Sequence, residues 1–430
     1  MPEVDNPLFE DPTDWPVDKN NVQPRLGFAY NLDEDRTLLR GGYGRFFEKT
    51  HFELISAVLT NRPFTTSFTR LFPLNNADPG PIQGNRPNDP FLANGPFLTD
   101  ELRAQIAALF PPGTTVRNTG STFDNPNRVM PYTDQLSIGI ERQLRSDLSV
   151  SADYVHAFGR DQLMAVALNP TLRATTAVTS PNVRQGSATL STITAGLQQM
   201  YPGFAPFTGA VTTYDNVGRT DYDALRVQVE KRYSDNYMTR VSYTLAHSRG
   251  NTSGAGIPTS PFQVLDDLNL ELNEGPTNFD QRHNLVVSGM ATVPRTGGLT
   301  FGWVARALSG SPFTIVDQTI DADRNGTLAD PLPAGEYSGS GSNAITVDSD
   351  GGRNGAYGPG FFKLDLRLGY SLNVIGERKI ELFGEIFNVT NRANFANPSG
   401  DRSNADFLRV TSSSTSNNPR LVQFGARYSF

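Results

Sequence analysis

The chain has 430 residues, with 37 Lys and Arg against 44 Asp and Glu, a formal net charge of −7 and a pI near 5.3. That balance excludes a dedicated nucleic-acid binder, which carries a basic stripe. Cysteine is absent, which excludes a disulfide scaffold, a thiolate metal site and a cysteine nucleophile. Mean hydropathy is −0.38, and no stretch approaches the roughly 18 consecutive apolar residues of a spanning helix.

In chain order, Met1-Pro2-Glu3-Val4-Asp5-Asn6-Pro7 shows neither the basic nor the apolar region of a signal peptide, and residues 1–21 read as a tail or connecting segment. From residue 22 onward the dominant signal is a period of two. It predicts strands over about 22–31 and 36–46, 131–143 and 147–157, 221–233 and 237–247, 280–293 and 299–310, 360–373 and 378–389, and a last one over 420–430. Leu136, Ile138 and Ile140 alternate with Gln135, Ser137 and Glu141; Leu225, Val227 and Val229 alternate with Arg226, Gln228 and Glu230. The clearest run is 362–372, with Phe, Leu, Leu, Leu, Tyr and Leu on one face and Lys, Asp, Arg, Gly and Ser on the other.

Within each pair the connection is a few residues of turn chemistry, such as Asp33-Glu34-Asp35, Arg145-Ser146-Asp147 and Ser234-Asp235-Asn236. Between pairs lie long Gly/Pro/Asn/Ser-rich stretches over 47–130, 158–220, 248–279, 311–359 and 390–419. A soluble domain seldom carries structureless loops beyond about 12–15 residues. An antiparallel up-and-down transmembrane β-barrel of the outer membrane expects this alternation, with short periplasmic turns, long extracellular loops, an apolar face toward lipid and a polar face toward the lumen. Residues 22–430 are therefore expected to form an all-β outer-membrane barrel domain. Tyr30, Tyr233, Tyr237, Tyr370 and Phe430 fall near the short-turn end, as an interfacial girdle would. Eleven strands is an odd number, whereas bacterial single-chain barrels are even. If the short turns are periplasmic, strand 22–31 descends and needs a rising predecessor. The expectation is the C-terminal half of a barrel of about 22 strands.

Several segments resemble TonB-dependent outer-membrane receptors of the Oar-like, OmpA-related type. They are Gln23-Pro24-Arg25-Leu26-Gly27-Phe28-Ala29-Tyr30, Leu39-Arg40-Gly41-Gly42-Tyr43-Gly44-Arg45-Phe46-Phe47, Phe279-Asp280-Gln281-Arg282-His283-Asn284-Leu285, Glu385-Ile386-Phe387-Asn388-Val389-Thr390-Asn391 and the ending Arg420 to Phe430. The resemblance implies a barrel occluded by an N-terminal plug, driven by an energy-coupling protein of the inner membrane, and commonly preceded by a carboxypeptidase-regulatory-like domain. The plug, the coupling box and that extra domain have no counterpart in these 430 residues. The partners it implies are outer-membrane lipid, an extracellular substrate, the inner-membrane coupling protein through the missing part, and the barrel-assembly machinery. The last would read Phe424, Ala426, Tyr428 and the terminal Phe430, which share one face of the final strand.

Signs of catalysis are lacking. His51, His156, His247 and His283 show no metal-ligand spacing, and His156 and His247, near strand ends, read as interfacial or rim residues. No nucleophile elbow, phosphate loop or dinucleotide fingerprint occurs, so neither an enzyme nor an organic cofactor is expected. Asp321-Ala322-Asp323-Arg324-Asn325-Gly326 begins like a calcium loop, with Asp321, Asp323 and Asn325 as oxygen ligands. Leu332 stands where the closing bidentate Glu belongs, and Asp348 and Asp350 are candidates to complete the set. A solvated Asp/Gly turn has the same composition. His51 to Leu59 and Asp100 to Leu109 are helix-like stretches of the 47–130 loop. A soluble or cell-surface β-sandwich binding glycans or proteins is the rival reading. It explains the alternation of residues but not the regular short and long connections.

Overall fold

The computed structural model describes residues 19–33, 36–48, 120–123, 125, 127–173, 184–200, 205–252, 264–328, 330–373, 378–414 and 419–430. Eleven long strands form one antiparallel meander: β1 (Arg25–Leu32), β2 (Thr37–Phe47), β3 (Tyr132–Arg145), β4 (Leu148–Ala167), β5 (Val211–Ser234), β6 (Tyr237–Gly250), β7 (His283–Thr292), β8 (Leu299–Leu308), β9 (Phe361–Asn373), β10 (Lys379–Phe387) and β11 (Leu421–Ser429). Each pairs with its neighbours in chain order, and short and long connections alternate, so all the short ones lie at one end of the sheet. The sheet is open. Among the described residues β1 pairs with β2 alone and β11 with β10 alone.

The register shows what each face is for. Opposite residues Arg40, Gly139, Asp153, Arg226 and Thr244 lie in one row across β2 to β6, and Val304, Asp365 and Arg367 continue the same face on β8 and β9. Arg40 clasps Asp153 through Nε and Nη2, both at 2.9 Å, and reaches Glu141 at 3.2 Å. Gly139 makes this clasp feasible: a Cβ there would sit 2.0 Å from Asp153 Oδ1. Further along, Arg240 pairs with Glu230 at 2.8 Å, and Arg367 with Glu381 and Glu385 at 2.8 and 2.7 Å. Such pairs suit a wet lumen, where both charges stay solvated.

The opposite face carries Leu26, Phe28, Tyr30, Leu136, Ile138, Ile140, Leu225, Leu368, Leu382 and Phe424, all between 42% and 85% exposed. A strip of leucine and isoleucine this large, uncovered by protein, is what hydrocarbon covers. Tyr30, Tyr237, Tyr370 and Tyr428 sit on it toward the short-turn end, where the girdle is expected, while Tyr233 lies in the register shift between Lys231 and Ser234 and donates to Thr292 at 2.9 Å. No second sheet of the described residues covers the leucines of β9, and Leu368 is 53% exposed. The sandwich reading is thereby set aside.

On the same face Trp303 of β8 lies directly opposite Gly289 of β7, and a Cβ at 289 would meet its ring at 2.2 Å and the Met238 carbonyl at 2.6 Å. An aromatic ring laid over a glycine of the next strand pins the register. Gly289→Ala is therefore expected to cost about 1–3 kcal/mol, the usual range for overpacking. Urea unfolding from lipid vesicles, in a Trp15→Phe background that leaves Trp303 as the sole indole, reads both the midpoint and the displaced emission. An unchanged midpoint and spectrum would show the ring is not held there.

β4 and β5 run well beyond the strands the alternation predicts, reaching Ala167 and starting at Val211. Two register shifts, between Gly159 and Gln162 and between Gln162 and Met164, explain the difference. A bulge changes the parity of all that follows, so the pattern dissolves while the pairing goes on. The helix-like stretches within 47–130 lie outside the described residues.

Candidate functional site

The long connections fold upon one another above the sheet because they carry apolar residues that the barrel wall does not need. In one cluster Phe313, Ile315, Val347, Ala356 and Leu408 are buried together around a four-stranded sheet of Pro312–Phe313, Gly335–Ser338, Thr346–Ser349 and Ala356–Tyr357. In another, Leu190, Ile193 and Leu197 of helix α1 (Ala188–Met200) pack on Phe123 and Val211. Ser187 Oγ accepts the Leu190 N–H at 3.1 Å and so caps that helix.

Arg353 joins the first cluster to the end of β6. It is 4% exposed and donates to the carbonyls of Asn273, Gly250 and Gly275, the last at 3.2 Å. Burial lowers its pKa to about 10, so it remains charged at neutral pH. Tyr357 donates to Asp280 at 2.6 Å, and burial, followed by that bond, pushes its hydroxyl up to about 12.

The Asp321 loop lies at this end and touches two other connections, those between β4 and β5 and between β6 and β7. Asp321 accepts the N–H groups of Asn325 and Gly326, each at 3.0 Å; Asp323 accepts that of Asn325 at 2.9 Å. Asn325 is 6% exposed; its amide oxygen accepts from Thr327, and its amide nitrogen donates to Leu265 O at 3.1 Å and Asp323 at 3.0 Å. Arg173, from the connection between β4 and β5, donates to the Asp323 carbonyl at 2.6 Å. It also pairs with the Asp323 carboxylate at 3.3 Å and with buried Asp266. The residue that closes the acidic group is Asp330, the tenth of the loop. Carboxylate oxygens of Asp321, Asp323 and Asp330 all lie within 4.8 Å of one another. Burial raises the Asp323 pKa, and the charges of Asp330 and Asp266 raise it further. Asp348 and Asp350 belong elsewhere: Asp348 sits on Thr346–Ser349 opposite Glu336, and the Asp350 N–H bonds to Gly355.

Sequence reasoning missed Asp330, Asp266 and Arg173. The first was legible as an acid in the same loop, two positions short of the expected one. Arg173 lies 150 residues from Asp323 and carried no local signal.

Beside this loop a cavity of about 260 Å³ opens between the connections, lined among others by Thr171, Arg184, Leu265, Asp266, Asp267 and Thr327. Burial raises the Asp267 pKa against the opposing hydrogen bond from Ala167 N–H at 2.7 Å. A second hollow, of about 230 Å³, lies on the lumen wall among Arg40, Glu141, Asp153, Arg226, Gln228 and Glu230. Its lining is charged and offers no apolar floor.

Of the histidines, His156 meets Asp223 at 2.8 Å, His283 meets Tyr243 OH at 2.8 Å, and His247 accepts from Arg282 at 3.0 Å. All three lie on the apolar face toward the long connections, at the rim of the hydrocarbon band. His51 lies outside the described residues. On β11, Phe424 and Tyr428 are 85% and 52% exposed and share a face with Ala426, and the terminal Phe430, 96% exposed, holds its ring 6.0 Å from that of Tyr428.

Among solved structures the chain is similar to the outer membrane transporter YddB from Escherichia coli, with 12% identity and a TM-score of 0.48, over 91% of this chain and 38% of that one. It is similar to the FrpB iron transporter from Neisseria meningitidis, with 12% identity and a TM-score of 0.42, over 94% and 38%. The ferric-catecholate import receptor Fiu from E. coli K12 matches with 10% identity and a TM-score of 0.41, over 94% and 34%. The chain thus spans little more than a third of the length of each. No curated protein matches it. The family model described as outer membrane beta barrel domain matches residues 10–423. The chain belongs to that family, and its place is the outer membrane.

Proposed function

We propose that this chain is the barrel portion, the C-terminal half, of a TonB-dependent receptor-transporter of the Oar-like type. In this reading the long connections bind a substrate outside the cell, and the polar wall passes it inward once an inner-membrane coupling protein acts on a plug carried by the rest of the protein. The observation that carries the reading is the single antiparallel meander with one uncovered apolar face, one ion-paired face and every short turn at the same end. Closure is the supporting point. Of sheets, only a closed barrel satisfies all backbone groups in lipid, and among the described residues β1 and β11 are each open along one edge. Phe424, Ala426, Tyr428 and Phe430 supply the alternate side chains through which the barrel-assembly machinery would take up β11 by strand addition.

The absence of native cysteine makes the test clean. Single cysteines at Asn343, in the long connection after β8, and at Asp235, in the turn between β5 and β6, are treated with a membrane-impermeant maleimide on intact cells. Labelling is expected at position 343 alone, and at both positions once the outer membrane is permeabilised. Labelling at 235 alone on intact cells would invert the proposed orientation and end the receptor reading.

A further inference from the structure

We propose that the Asp321–Asp330 loop is a calcium site whose third carboxylate is Asp330, and that the ion fastens this connection to those between β4 and β5 and between β6 and β7. Three clustered acids are common on surfaces, and the cluster by itself decides nothing. Asp330 supplies the independent observation. It is 7% exposed, and its Oδ2 accepts the N–H groups of Ala322 at 2.6 Å and Asp323 at 3.2 Å. Its Oδ1 is buried and has no hydrogen-bond partner among the described residues. A carboxylate oxygen withdrawn from water with no donor on it is costly, and a cation is the ordinary remedy.

The chemistry of the donors selects the ion. Asp321, Asp323 and Asp330 offer oxygen alone, which suits a hard divalent cation. Their oxygens fall within 4.8 Å of one another. Calcium accepts irregular cages built wholly of protein oxygens, whereas magnesium demands near-ideal octahedral geometry and gives up its waters reluctantly. The same loop already touches two other connections, through Arg173 of the one between β4 and β5 and Leu265 of the one between β6 and β7. An ion that fixes Asp321, Asp323 and Asp330 therefore fixes the cap. That calcium arrives from the cell exterior rests on the orientation proposed above; the binding itself does not. Cysteine labelling does not involve the ion, so the two readings fail separately.

The test titrates calcium chloride, with magnesium chloride for comparison, into the full chain folded in detergent and freed of metal by a chelator. One calcium per chain is expected, with magnesium at least tenfold weaker. Asp330→Asn is expected to weaken calcium at least tenfold and Asp321→Ala to abolish it. Glu336→Gln, in the same connection but outside the cluster, should leave the affinity within twofold. Calcium is also expected to slow proteolysis of wild-type protein within residues 309–360 at least fivefold. That measurement decides the matter should the variants not fold. No calcium heat from folded wild type, an affinity indifferent to both substitutions, or equal cleavage with and without calcium would overturn the site.

Discussion

Leu366→Arg is expected to cost about 2–4 kcal/mol of stability in a bilayer, the range for a cation on the lipid face near mid-membrane. Leu366 lies near the middle of β9, between Trp303 of β8 and Ile386 of β10, on the face where Leu368 is 53% exposed. A guanidinium there has hydrocarbon for solvent and no carboxylate on its own face within the neighbouring pairs. Arg367→Leu, one residue on, points to the other side. It removes a cation that Glu381 and Glu385 share and that lies 4.1 Å from the centre of the Phe383 ring. Those carboxylates remain in contact with water, with side chains 27% and 18% exposed, so the loss is expected near 1 kcal/mol, as for solvated pairs. Urea unfolding from lipid vesicles measures both. Equal costs, or a larger cost for Arg367→Leu, would exchange the two faces and with them the lumen.

Adjacent residues with such different expected costs show why so much of this architecture was legible in the sequence. The bilayer imposes one rule at every position of every wall strand, so period two persists over about ten residues and repeats eleven times. Phe362 to Leu372 can be assigned to a face without any knowledge of a partner strand, because lipid is the same partner throughout. The cap obeys no such rule. Its strands are two or four residues long, Pro312–Phe313 and Ala356–Tyr357 being the shortest, too short to show a period. Helix α1 buries Leu190, Ile193 and Leu197 at helical spacing, but within a run of Ser, Thr and Gly that reads as loop. The extension of β5 back to Val211 was hidden by the bulges opposite it on β4.

The acidic loop shows the same division. Asp321, Asp323 and Asn325 lie within one turn of chain, and their spacing announces them. Asp330 closes the group from a position that the twelve-residue calcium-loop template does not use. Arg353 is more extreme: it is buried against the carbonyls of Gly250, Asn273 and Gly275, at least 78 residues away. What a local solvent dictates can be read locally; what a distant carbonyl dictates cannot.

The two open edges carry the last expected result. β1 has Leu26 at 74% and Tyr30 at 62% exposure, and β11 has Phe424 at 85%. Among the described residues each edge presents a row of N–H and C=O groups with no strand partner, a template for strand pairing. In lipid an unsatisfied backbone group costs several kcal/mol, so the edges must find partners. If the missing partners are further strands of a barrel of about 22, the chain on its own in detergent is expected to pair edge to edge with other copies. Single cysteines at Leu26 and at Phe424, mixed and oxidised, should then give disulfide-linked dimers. The chain carrying both should give ladders. An intramolecular disulfide in a monodisperse monomer would instead mean that β1 and β11 meet within one chain. The barrel would then close with eleven strands, and no larger barrel would be needed to account for it.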